Sequence, residues 1–333
     1  MLFKSSALRG LEGLIKKTMK ILANDGIDPI GKKMLEEAGF EVDTNNIPQD
    51  ELAGKLNTYD VITVRSATKV RKALIDACPN IKVIGRGGVG MDNIDVEYAK
   101  EKGVAVYNTP ASSSLSVAEL VFGHLFGGVR FLPDSNRKMP VDGLTKFNDL
   151  KKAYAKGIEL RGKTLGIIGF GRIGREVAKI AIGVGMEVLA YDLFPFNPEV
   201  EVVLGGGAKV NVTVKTATLA EIIASADFIT LHTPFVDKAI FGEAELAQMK
   251  KGVGLVNCSR GGLIDELALV DALNSGKVSF AALDVFDNEP TPREELLKHP
   301  KISLTPHIGA ATNEAQERIG VELASLIIGH FKK

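Results

Sequence analysis

The amino-acid sequence predicts an α/β chain of two doubly wound parallel sheets, and three observations carry that expectation. Short apolar runs alternate with amphipathic helical segments twice over, once before residue 110 and again after residue 164. Such alternation gives parallel strands covered by helices on both faces. A G-x-G-x-x-G turn, made by Gly169, Gly171 and Gly174, opens the second series between a strand and a helix. The 333 residues are enough for two domains, each with its own core.

Composition narrows the partners. Lys and Arg number 41 and Asp and Glu number 41, so no net charge draws the chain to nucleic acid or to a membrane surface. The hydrophobic share of 45% and charged share of 25% are those of a globular protein. Apolar runs such as 323–328 are too short to span a bilayer. Two cysteines, Cys78 and Cys258, lack metal-ligand spacing and make no disulfide framework. The expectation is a cytoplasmic protein with no metal site.

Taken in order, residues 1–18 carry Lys4, Arg9, Lys16 and Lys17 against Glu12. A targeting presequence has that basic character, but a strand-like run starts at Met19, so an N-terminal extension is the preferred reading. From there strands are predicted near 20–23, 41–44, 61–64, 82–85 and 104–107, with helices near 29–38, 50–55, 70–77 and 94–102. A long apolar run at 117–129 reads as a buried helix. The stretch 132–150 holds two prolines and an Asp-Gly pair without a clear period, an excursion long enough to pack on something else, such as another subunit. The second series places strands near 164–168, 187–191, 228–231, 254–257, 280–284 and 302–304, and helices near 172–184, 219–225, 243–250 and 266–275. A final helix, 313–331, sets Ile319, Leu323, Leu326 and Ile327 on one face. If it crosses back, the first domain is discontinuous, with parts 19–110 and 307–333 around a nucleotide-binding domain at 111–306.

The glycine turn has a physical reading. Its first glycine permits the tight bend, its second lets a pyrophosphate touch backbone, and its third lets helix and strand close up. The unpaired N–H groups at the helix start then face the anion. Asp192, at the end of the next strand, is placed to accept both ribose hydroxyls and to repel a 2′-phosphate, so NAD is expected rather than NADP.

Three polar stretches follow strands of the second series, where open α/β sheets bind ligands. They are 256–262, 283–290 and 304–310, and they offer Arg260, Glu289 and His307. Moving a hydride from a hydroxyl carbon requires a group to take the hydroxyl proton, and an imidazole titrates near neutrality. It also requires a fork to hold a neighbouring carboxylate, which arginine supplies. Glu289 is the choice for fixing the imidazole tautomer. Each residue has a plainer reading: His307 could cap a turn, Arg260 could sit in a surface ion pair and Glu289 could be a turn residue. Of the other histidines, His124 reads as core, His232 as a loop-edge residue, and His299 and His330 as surface positions.

These stretches, with the glycine turn and Asp192, resemble the D-isomer-specific 2-hydroxyacid dehydrogenases over essentially 19–330. Residues 64–70, 85–95, 108–110 and 116–120 resemble the substrate-domain motifs of the branch that acts on 3-phosphoglycerate. The resemblance implies a Rossmann-type nucleotide domain beside a flavodoxin-like, discontinuous substrate domain. It implies NAD as cofactor, with His307 as acid-base residue, Glu289 as its partner and Arg260 as anchor of the substrate carboxylate. For the cofactor it implies Val89, Gly169, Gly171, Arg172, Ile173, Gly174, Asp192, Thr233, Pro234, Cys258, Ser259, Arg260, Asp284, His307, Gly309 and Ala310. For the substrate it implies the Gly88 and Val89 backbone at the carboxylate, and Arg65, Ser66 and Arg86 at the phosphate with Asn108 nearby. A homodimer through the nucleotide domain is implied, with Lys152 reaching the partner's site. A chain ending at Lys333 is expected to lack feedback control through a C-terminal domain. The rival substrates are glyoxylate, hydroxypyruvate and D-lactate, and the rival class is a nucleotide-sensing corepressor scaffold.

Overall fold

The structure is a computed structural model that describes residues 18–235 and 237–332. The expectations for residues 1–17 lie outside the described residues. The described residues divide into two compact units, one of 18–87, 91–109 and 319–332 and one of 88–90, 110–235 and 237–318.

The first unit is a five-stranded parallel sheet. Its strands are β1 (Lys20–Ala23), β2 (Glu41–Asp43), β3 (Val61–Val64), β4 (Val83–Arg86) and β5 (Ala105–Asn108), in the order β2-β1-β3-β4-β5. Alternate residues feed opposite faces: Leu22, Ile62 and Ile84 join one core, while Ile21, Val61 and Val83 join another. The first core is closed by α2 (Leu52–Lys55), α3 (Lys72–Ala77) and α4 (Val96–Glu101). The second is closed by α1 (Pro29–Glu37) and by Leu323, Ala324 and Ile327 of the terminal helix. Each such aliphatic side chain contributes roughly 1.5–3 kcal/mol on burial. Helix α1 starts where it does because Asp28 accepts from the Ile30 N–H at 2.9 Å and Pro29 needs no N–H partner.

The second unit holds a seven-stranded sheet in the order β10-β7-β6-β11-β12-β13-β14, all pairs parallel. The strands are β6 (Thr164–Ile168), β7 (Glu187–Tyr191), β10 (Lys215–Thr216), β11 (Phe228–Leu231), β12 (Val253–Asn257), β13 (Val278–Leu283) and β14 (Ile302–Leu304). Long α5 (Ser114–Val129) and α8 (Arg172–Val184) cover one face. The other is covered by α9 (Leu219–Ser225), α10 (Glu243–Gln248), α11 (Glu266–Asn274) and α12 (Glu294–Lys298). The strand order reverses at β6, so the ligand crevice of this sheet type lies at the carboxyl ends of β6 and β11.

Several expectations are corrected. The stretch 132–150 is not aperiodic: it forms α6 (Leu132–Asp142) and α7 (Phe147–Ala153). Pro140 lies inside α6 and neither helix buries a residue, so no apolar stripe marks them. Between Asp192 and α9 lies an antiparallel hairpin, β8 (Glu199–Val203) and β9 (Lys209–Thr213), that the pattern did not show. Val200 and Val202 anchor it under α8, while its glycine-rich tip carries no hydrophobic signal. The terminal helix α13 (Asn313–Phe331) changes unit between Arg318 and Ile319, not at 307. Its first turns are held inside the second unit, by Gln316 Nε2 on the Ala310 carbonyl at 2.6 Å and Arg318 Nε on the Ser112 carbonyl at 2.9 Å. His299 is buried against Asn274, and half-buried His330 meets the Tyr107 hydroxyl at 3.1 Å, so neither is a plain surface position. Among the described residues no single helix is long and apolar enough to cross a membrane.

Candidate active site

The glycine turn sits between β6 and α8 as a dinucleotide cradle requires. Gly169 takes φ 91°, and a Cβ there would lie 2.5 Å from the His232 carbonyl oxygen. A Cβ on Gly174 would lie 2.2 Å from the Gly169 carbonyl oxygen, whereas one on Gly171 would meet open space. Two glycines thus serve packing and the middle one leaves room for a ligand. Gly171 caps α8 without a side-chain acceptor, so the N–H groups of Arg172, Ile173 and Gly174 have no partner in the helix. Asp192 is oriented by the turn itself, its Oδ2 accepting from the Phe170 N–H at 2.7 Å and its Oδ1 from the Phe194 N–H at 3.2 Å.

Residues at the end of β11 complete this cradle. His232 Nδ1 and Thr233 Oγ1 are buried without a hydrogen-bond partner in the protein. Buried polar atoms seldom stay unsatisfied, so a ligand bearing hydroxyls, amides and phosphates fits these residues. Burial holds the His232 imidazole well below its ordinary value, in the neutral form. Pro234 follows in the exposed loop.

The turn after β12 is built by a residue outside the expected set. Asn257 accepts from the Ser259 N–H at 3.1 Å and donates to the Arg260 carbonyl at 2.8 Å, closing the turn on itself. The Ser259 hydroxyl donates to the Thr233 carbonyl at 2.5 Å, tying this turn to the one after β11. Arg260 is half-buried and donates from NH1 to the Ser259 carbonyl at 2.6 Å. Gly261 is obligatory, because a Cβ would lie 2.1 Å from the Phe286 carbonyl oxygen. Cys258 is inert by contrast, since burial, then Asp284, pushes its thiol well above the ordinary value.

Beyond β13 and β14 the expected partners His307 and Glu289 meet. His307 Nδ1 lies 2.8 Å from Glu289 Oε2, with side chains 42% and 37% exposed, so the pair is reachable yet partly screened from water. Glu289 Oε1 accepts from the Phe286 N–H at 3.0 Å. Burial raises the Glu289 carboxyl, but the His307 hydrogen bond and charge, the Phe286 N–H and Arg260 outweigh it and hold it below the ordinary value. An apolar recess of about 360 Å³, lined by Phe286, Pro290, Pro292, Leu297 and Leu304, adjoins the pair. Since a carboxylate only accepts, Nδ1 carries the proton that faces Glu289, and Nε2 is the ring nitrogen turned away from it. Asp284, Gly309 and Ala310 lie in the same strand-end turns, and Ser116 fixes Gly309 by donating to its carbonyl at 2.7 Å.

Residues 122–309 match the D-isomer specific 2-hydroxyacid dehydrogenase, NAD binding domain, family. The chain belongs to this family. It is 43% identical over 311 residues to a D-3-phosphoglycerate dehydrogenase of Methanocaldococcus jannaschii, covering 93% of this chain and 57% of that protein. It is 42% identical over 314 residues to a hydroxypyruvate reductase of Thermotoga maritima, covering 92% of this chain and 97% of that one. Among solved structures, a glyoxylate reductase from Paecilomyes thermophila superposes with TM-score 0.80 at 30% identity, covering 95% of this chain and 96% of that one. The chain spans little more than half the length of the phosphoglycerate dehydrogenases it matches, 57% of one and 56% of the rat protein.

The remaining expected residues lie on the first unit, in the short Gly88–Gly90 segment of the second, or on α7. Arg65 and Ser66 follow β3 in a turn clamped from two sides. Asp25 accepts from the Arg65 N–H at 2.6 Å and the Thr68 hydroxyl at 2.6 Å, and Asn93 Nδ2 donates to the Arg65 carbonyl at 2.7 Å. Neither clamp residue was picked from the sequence, because a lone Asp or Asn shows no spacing signal. Arg86 and Asn108 end β4 and β5, the same edge of the sheet. Gly88 and Val89 fall in the short segment assigned to the second unit, and Gly88 takes φ 145°. Lys152 is exposed on α7.

Proposed function

We propose that the chain is an NAD-dependent D-2-hydroxyacid dehydrogenase that oxidises D-3-phosphoglycerate to 3-phosphohydroxypyruvate, the entry to phosphorylated serine synthesis. The observation that carries the reading is the 2.8 Å His307–Glu289 pair at the strand ends of the sheet that also carries the glycine turn. NAD supplies the acceptor for the hydride from C2. His307 Nε2 takes the C2 hydroxyl proton, Glu289 steadies the imidazolium that forms, and Arg260 holds the substrate carboxylate and the forming carbonyl. The Gly88 and Val89 N–H groups add to the carboxylate site. Arg172 and Ile173 would hold the pyrophosphate and Asp192 the adenosine ribose, and Thr233, Pro234, Cys258, Ser259, Asp284, Gly309 and Ala310 would line the rest of the cofactor site.

Arg65, Ser66, Arg86 and Asn108 serve the phosphate in this reading, and the arginines decide the substrate. The likeness to a hydroxypyruvate reductase along nearly its whole length favours a second reading, an unphosphorylated 2-oxo acid. A panel of 3-phosphoglycerate, glycerate, glyoxylate, hydroxypyruvate and D-lactate with both cofactors separates them. The Arg65→Ala variant is expected to lose about 10- to 100-fold in kcat/KM on the phosphorylated acid and little on the others, as for a lost charge-assisted contact. Equal losses would remove the phosphate from Arg65. Peptide binding with negligible turnover would instead favour the scaffold.

The same reading makes the chain a homodimer through its nucleotide domain. Leu132, Met139 and Val141 of α6, Leu144 of the link and Phe147 of α7 are exposed apolar side chains, and the two helices bury nothing of their own, so a partner would cover them. Lys152 on α7 would then be offered to the partner's site. Sedimentation equilibrium of wild type and of Leu144→Asp tests the arrangement.

A further inference from the structure

Helix α5 buries a stripe of Val117, Ala118, Val121, Phe122, Leu125 and Val129, and one titratable residue interrupts it. His124 is 4% exposed, with both ring nitrogens engaged. Nδ1 lies 2.8 Å from Ser303 Oγ, and Nε2 lies 3.0 Å from Thr305 Oγ1. The Thr305 hydroxyl donates to Asp284 Oδ1 at 2.6 Å. The Asp284 carboxylate is itself buried, and its two oxygens accept from the Ile308 and Gly309 N–H groups at 2.8 Å each.

The proton order along this chain follows from valence. Thr305 spends its one proton on Asp284, so toward His124 it has only lone pairs. His124 must therefore carry its proton on Nε2 and accept from Ser303 on Nδ1. Burial favours this neutral form, lowering the imidazole against the opposing pull of Asp284.

The other end of the chain grips the backbone on either side of His307. Thr305 stands two residues before it, Ile308 and Gly309 directly after it. His307 itself adopts φ 55°, a left-handed conformation that a non-glycine residue keeps only when its surroundings over-determine it. We propose that His124 is a positioning residue: through Thr305 and Asp284 it locks the turn that presents His307 to Glu289 in a single geometry. It touches neither substrate nor cofactor. The inference rests on the dehydrogenase reading for its kinetic consequence, while the grip on the turn can be measured without turnover.

Two variants of one position separate a hydrogen-bond role from space filling. His124→Met fills the cavity without a donor, and His124→Gln restores an amide nitrogen near the place of Nε2. The Met variant is expected to lose about 5- to 30-fold in kcat at saturating NAD, with KM for the acid within about twofold, as for a misplaced catalytic group. Amide exchange at Ile308 and Gly309, read by hydrogen-exchange mass spectrometry on the 305–311 segment, is expected to speed up by about tenfold. The Gln variant is expected to return kcat to within about threefold of wild type and to restore protection. Unchanged kcat and exchange in the Met variant would overturn the proposal. So would Met and Gln variants losing activity together in step with their melting temperatures. Should the Met variant not fold, Thr305→Val against Thr305→Ser carries the same comparison, since only the valine loses the hydroxyl. A wild-type chain without turnover on any 2-hydroxy acid would count against the enzyme reading alone, and the exchange result would still judge the lock.

Discussion

Two turns at the carboxyl edge of the second sheet adopt left-handed backbone, and they fill it with opposite kinds of residue. After β6 the position is Gly169 at φ 91°, and after β14 it is His307 at φ 55°. At the first, a side chain would drive into the His232 carbonyl, so backbone alone meets the ligand. At the second, the protein accepts a strained conformation, of order 1–2 kcal/mol, to put an imidazole there. In the proposed site this is a division of labour: the glycine turn offers a dinucleotide backbone N–H groups, and the strained turn offers an imidazole for the chemistry.

The comparison breaks hardest at His307. Replacing it with alanine is expected to lower kcat by about 10²- to 10⁴-fold while NADH still titrates with unchanged affinity, followed by its fluorescence. A variant keeping a tenth of wild-type turnover would end the acid-base assignment. The converse experiment is Gly174→Ala, which pushes a methyl to 2.2 Å from the Gly169 carbonyl oxygen. Overpacking of this kind costs about 1–3 kcal/mol, so NAD affinity is expected to fall about 10- to 100-fold. Saturating NAD should then recover most of kcat, since the His307 turn is untouched. Loss of kcat that excess NAD does not rescue would mean the two turns are not separable.

A weaker expectation concerns selectivity. Asp192 is held by N–H groups from the turn and from Phe194, and in the proposed cofactor site its carboxylate would face a 2′-phosphate. Asp192→Ala is expected to weaken NAD and to narrow the NAD-over-NADP preference by about tenfold, the scale of one charge-assisted hydrogen bond. An unchanged ratio of kcat/KM for the two cofactors would take Asp192 off the ribose.

How far the sequence carried this picture depends on whether a feature leaves a period or a spacing. The parallel strands are legible because residues buried on both faces read as continuous apolar runs, as at Val61–Val64. The glycine turn is legible because its bend and its helix–strand closeness demand glycine at fixed spacing, and Asp192 because it directly follows the next strand. The hairpin Glu199–Thr213 was not, since only Val200 and Val202 among its apolar residues are buried. Helix α6 was hidden by Pro140 and by a surface without a buried stripe. The residues that shape the site without touching a ligand left no signal either. Asn257, Asp25 and Asn93 act through backbone contacts that only the folded chain creates. His124 was legible as buried, but not as a member of a polar chain, because its partners lie far along the sequence at Ser303 and Thr305.

The smallest expected effect comes from Glu289, and its sign follows from the direction of its shift. Its carboxyl is held below the ordinary value of 4.5 in the folded chain. A depressed carboxyl contributes stability that is complete above its unfolded value and is lost as pH falls through the folded one. Wild type is therefore expected to melt above Glu289→Gln by a constant few degrees from neutrality down to about pH 5, with the gap closing in more acid solution. With the side chain 37% exposed, solvent screens part of the interaction and keeps that gap small. A gap that widened on acidification would mean that the carboxyl is raised in the folded protein. The His307 contact would then be a neutral hydrogen bond, not an ion pair in waiting.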